Sequence, residues 1–90
     1  MSSQEEYKAL FSDLIKKQMV MLGPNLVLAK ARQVAGLTVT EDGEVTAISG
    51  DPGQALQALA NDFMDLSGNI ALMTLNTLLE KYPGIKRPSN

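Results

Sequence analysis

Residues 37–49, LTVTEDGEVTAIS, alternate apolar and polar side chains about Asp42-Gly43. A helix cannot keep a period of two, and Asp-Gly suits a tight reversal, so this stretch predicts a β-hairpin. Two registers compete. A two-residue turn at Asp42-Gly43 sets Val39 opposite Thr46 and Leu37 opposite Ile48. A three-residue loop, Glu41 to Gly43 with Gly43 left-handed, sets Val39 opposite Val45, Thr38 opposite Thr46 and Leu37 opposite Ala47. The second pairs like with like and is preferred; it leaves Ile48 on the other face. A lone two-stranded hairpin is barely stable in water, so its apolar face must lie on something else.

That support reads as helix. Ser3 and Glu6 have the spacing of a capping box, and Tyr7, Leu10, Phe11, Leu14, Ile15, Met21 and Leu22 then recur as one stripe. Gly23 ends this helix and Pro24 opens a second, which extends to about Val34. After the hairpin, Asp51 caps, Pro52 takes the first helical position and Gln54 completes a capping-box spacing. Leu56, Leu59, Phe63, Leu66, Ile70 and Met73 follow in alternating steps of three and four. Leu72, Leu75, Leu79 and Tyr82 make a second stripe on an adjacent face. This segment is either one long helix or two hinged at Ser67-Gly68-Asn69, because glycine weakens a helix interior by about 1 kcal/mol relative to alanine. The fold class is therefore α+β and mainly helical, in the order α-α-β-β-α(α). Residues 1–83 form a single domain, and 84–90 are expected to be a flexible polar tail.

Composition narrows the function classes. The chain has 90 residues, no cysteine and no histidine. Disulfides, thiolate chemistry and the commonest general base are therefore excluded. The serines have no histidine partner, and no pair of carboxylates is singled out, so no catalytic turnover is expected. Asp62 and Asp65 lie three apart with Asn69 a turn later, a spacing able to contribute to a magnesium or calcium site. They read more simply as a solvated acidic face, and no metal or cofactor is expected.

Net charge is −2. Lys16, Lys17, Lys30 and Arg32 come early, no basic residue lies between Arg32 and Lys81, and Glu41, Asp42, Glu44, Asp51, Asp62 and Asp65 fall in that interval. A mildly acidic chain with four aromatics (two Tyr and two Phe) argues against a nucleic-acid partner. The charge-free run from Gln18 to Ala29 is broken by Gly23, Pro24 and Asn25, and a membrane span needs about 20 apolar residues. No transmembrane segment and no signal peptide is expected, which favours the cytoplasm.

A chain of this length buries only roughly 60–65% of the surface its unfolded form exposes, so one subunit has difficulty covering every apolar stripe. The expectation is a homodimer or small homo-oligomer that also meets another protein, as an adaptor, assembly or regulatory subunit. Val39, Val45, Leu56, Leu59, Phe63, Leu66, Ile70 and Met73 are the candidate interface residues. The alternatives are a small-molecule sensor with an apolar interhelical pocket, which five methionines would suit, and a membrane-surface module that inserts the 19–31 corner with Lys16, Lys17 and Lys30 toward headgroups.

Overall fold

The computed structural model describes residues 4–85. Its elements are α1 (Gln4–Leu22), α2 (Pro24–Arg32), β1 (Leu37–Val39), β2 (Val45–Ile48), α3 (Pro52–Ser67) and α4 (Asn69–Leu79). This is the α+β, mainly helical order expected, with the last region divided in two. The Ser3 half of the capping box lies outside the described residues.

Helix α1 is the centre of the molecule and packs against α2, α3, α4 and β2. Leu10, Phe11, Leu14 and Ile15 are buried along it, as the stripe requires. One turn further on, the stripe departs from expectation. The buried position is Gln18, at 0% exposure, and Met21 is exposed. Gln18 Oε1 lies 3.0 Å from Ser67 Oγ, which also lies 3.3 Å from Phe63 O, while Gln18 Nε2 has no partner among the described residues. A hydroxyl has one hydrogen to donate. With the amide turned over, Nε2 would donate one hydrogen to Ser67 Oγ and the hydroxyl would donate to Phe63 O, so that the hydroxyl is no longer asked to donate twice. Helix α1 closes with Gly23 N donating to Met19 O at 2.9 Å, and Pro24 starts α2.

The hairpin combines the two registers. Val39 pairs with Val45, as the three-residue loop requires, but Thr38 pairs with Ala47 and Leu37 with Ile48. Thr46 is the extra residue of a β-bulge, which adds one residue to one strand and shifts the pairing beyond it. The bulge corrects the expected facing of Ile48: it is buried on the side of Val45, and Ala47 points outward. At the tip, Gly43 N donates to Thr40 O at 3.0 Å with Gly43 at φ 86. A Cβ there would be strained at this φ and would stand 2.6 Å from Met19 Sδ, which would have to move aside, so glycine suits the close lie of the loop on α1. Ser12 fixes the strand above: its Oγ donates to Lys8 O at 2.7 Å and accepts from Val45 N at 2.9 Å.

Asp51 caps α3 by accepting from Gly53 N at 3.0 Å. Gly68, at φ 60 and ψ −132, separates α3 from α4. This break decides which stripe is inside. Leu56, Leu59 and Phe63 are buried before it, and Ala71, Leu75, Leu78 and Leu79 after it. The first stripe thus enters the core and the second replaces it. Tyr82 returns to α1, where its hydroxyl donates to Asp13 Oδ2 at 2.9 Å. Ile85, assigned to the tail by its polar neighbours, is 5% exposed and belongs to the core. Residues 86–90 of that expected tail lie outside the described residues.

Candidate interaction surface

From Leu66 to Leu79 the chain has no charged residue. Helix α4 therefore has no ionic group to hold its outer side in water. Ile70 is 53% exposed and Met73 67%, and Leu72 and Met64 are each 41% exposed. Ile70, Met73, Thr74 and Thr77 recur at i, i+3, i+4 and i+7 on one helical face. With Lys17 of α1 they line an open groove of about 360 Å³. The two threonines make this wall more apolar than their names suggest. Thr74 Oγ1 donates to Ile70 O at 2.9 Å and Thr77 Oγ1 to Met73 O at 3.0 Å. With both hydroxyls turned back onto the helix, a visitor would meet methyl groups. Lys17 is exposed at the rim and forms no ion pair among the described residues, so its aliphatic stem can cover apolar surface.

A second apolar area lies at the α1–α2 corner. Val20 is 87% exposed, with Met21 and Leu26 about half so. Lys16, Met19, Val20, Pro24 and Asp42 line a shallow groove there, of about 300 Å³. The surroundings differ from those of α4. Asp42 is part of the wall, and Lys16 bonds to Glu44 of the hairpin. That hydrogen bond, followed by the opposite charge, lowers the Glu44 pKa and raises that of Lys16. One of the corner's cations is thus already committed. A third cleft, of about 440 Å³, lies between the end of α2, the base of the hairpin and the start of α3. The Asp51 carboxylate lines it and is occupied as the helix cap.

The structure separates the eight expected interface residues. Val39, Val45, Leu56, Leu59 and Phe63 lie in the core cluster, where no partner can reach them while the fold is kept. Leu66 is half-buried against that cluster. Ile70 and Met73 alone are exposed, side by side on α4. Leu72 and Met64 are exposed positions outside the eight, and Val20 lies in the 19–31 corner of the membrane-surface alternative. For Leu72 the signal was present: a charge-free run of 14 residues, Leu66 to Leu79, longer than the 12 from Gln18 to Ala29. Asp62 is half-buried and Asp65 exposed. No cluster of three or more His, Cys, Asp or Glu side chains able to hold a metal occurs among the described residues. None of the described helices is long and apolar enough to cross a membrane. In comparisons with protein-family models, curated proteins and solved structures, the chain matches none.

Proposed function

We propose that this chain is a non-catalytic protein–protein interaction module of the cytoplasm, an adaptor, assembly or regulatory subunit that acts as a homodimer through the outer face of α4. The observation that carries this reading is the exposure of Ile70 and Met73 on a helix with no charge from end to end. A soluble monomer gains nothing from such a face, and contiguous exposed apolar surface usually marks an interface. A second copy is the occupant favoured by charge. A twofold contact sets a patch against its own duplicate, so a face carrying one sign of charge repels itself, whereas this one is neutral with its lysine at the rim.

The membrane-surface reading has less support, because Asp42 beside Val20 would meet anionic headgroups with a like charge. The sensor reading has less support as well: the grooves described are open to solvent, whereas small-molecule sites enclose most of their ligand. Light scattering on the untagged chain, diluted from high to low micromolar, tests the proposal. A mass of twice 9.7 kDa that falls toward one chain on dilution is expected. A folded monomer at every concentration would overturn it.

A further inference from the structure

The stripe Leu56, Leu59, Phe63, Leu66, Ile70, Met73 and Thr77 keeps alternating steps of three and four without interruption across Gly68. That is the spacing of a coiled-coil seam over about three heptads, and it forms one line only on a continuous helix. In the bent structure it is cut: its first half is core and its second half faces solvent. The cut is confined to one residue. Gly68 N still donates to Met64 O at 2.8 Å, as in an unbroken helix, and Ala71 N donates to Gly68 O at 3.1 Å. Rotation at Gly68 alone, from φ 60 and ψ −132 to helical angles, would join α3 and α4. Nothing lies within 4 Å of a Cβ placed at this glycine, so a side chain added there meets open space.

We infer that the chain has a second arrangement, in which α3 and α4 form one helix through Gly68 and two copies exchange α4. Straightening removes α4 from its own α1 and uncovers Ala71, Leu75, Leu78 and Leu79. The second copy's α4 takes the vacated seat, so the exchanged dimer restores the buried contacts of the monomer. It adds a new one, since Ile70 and Met73 rejoin the stripe and face their duplicates. This rests on the homodimer proposed above and specifies how that dimer forms.

Two substitutions at one position test it. Gly68→Ala favours the helix and disfavours the bend, whereas D-alanine at the same position accepts the bend and opposes the helix. The Gly68→Ala chain is expected to dimerise about tenfold more tightly or better. Nitroxides on cysteines placed at Gln54 and Thr77, both exposed, in doubly labelled Gly68→Ala chains diluted into a large excess of unlabelled chain, should lie roughly 35 Å apart, 23 residues along one helix, and closer in the bent form. A folded monomer, or a dimer with the shorter distance, would overturn the exchange. If Gly68→Ala fails to fold, the D-alanine chain decides. Loss of the wild-type dimer supports the exchange, and an undiminished dimer refutes it while leaving the homodimer standing. A wild type that never dimerises refutes both.

Discussion

The hairpin and α4 both lie on α1, yet they are held there differently. The hairpin is attached by directional bonds, Val45 N to Ser12 Oγ, Lys16 to Glu44 and Gln4 Nε2 to Ile48 O, with no room for a Cβ between its tip glycine and Met19. Helix α4 is seated chiefly by the apolar side chains Ala71, Leu75, Leu78 and Leu79, and Ser67 and Tyr82 add polar ties beyond its ends. Hydrogen bonds fix position and angle, whereas apolar contact rewards area and tolerates a change of partner. The region that has to be rigid has one kind of attachment. The region offered to a partner has the other.

The largest effect should come from α4's seat. Leu75→Ala is expected to lower stability by about 2–5 kcal/mol, read from the urea midpoint at unchanged slope. A loss below about 1 kcal/mol would mean that α4 hardly depends on its packing. Ser12→Ala comes next, at about 1–3 kcal/mol, because it leaves Val45 N buried without an acceptor. A neutral result would show that the buried bond between the hairpin and α1 contributes nothing, and the comparison would lose its main support.

The smallest effects are those of pH. Tyr82 is raised above the usual tyrosine pKa, first by burial and then by its hydrogen bond to Asp13 and that carboxylate's charge. The folded chain keeps this proton where an unfolded chain has begun to lose it. The contribution of the Tyr82–Asp13 bond is whole below the ordinary tyrosine pKa and is lost as pH rises through the folded value. Asp13→Asn should reduce that alkaline loss. The Glu44–Lys16 bond behaves oppositely in acid: it contributes above the ordinary carboxylate pKa and fades as pH falls through the lowered one. Both side chains are exposed, so this change should be slight and should diminish further in salt. Thermal melts across pH, with and without added salt, read both trends.

Local signals carried most of the fold. Gly23-Pro24, Asp42-Gly43, Asp51-Pro52 and Gly68 each act on their own few residues, and each marks a boundary of an element. What sequence could not give was set by distant neighbours. Thr46 bulges because Val45 and Ile48 are both buried on one side, a demand no alternation of single residues expresses. Gln18 is inside because Ser67 meets it from 49 residues away. Ile85 is inside because Tyr82 turns the chain back, with Ile85 N donating to Tyr82 O at 2.9 Å. For the surface, the periodicity that named Ile70 and Met73 also named Phe63, and only the bend at Gly68 separates exposed from buried along that line.

Two apolar areas remain outside the core, the α4 face and the Val20 corner, and they differ in the charges around them. Light scattering on Met73→Asp and Val20→Asp, each compared with the wild type at one high-micromolar concentration, discriminates between them most directly. Both positions are exposed, so circular dichroism should show both variants folded. A contact made by α4 predicts that Met73→Asp falls to the mass of one chain while Val20→Asp keeps the wild-type mass. The reverse pattern, or two variants that assemble like the wild type, would contradict it.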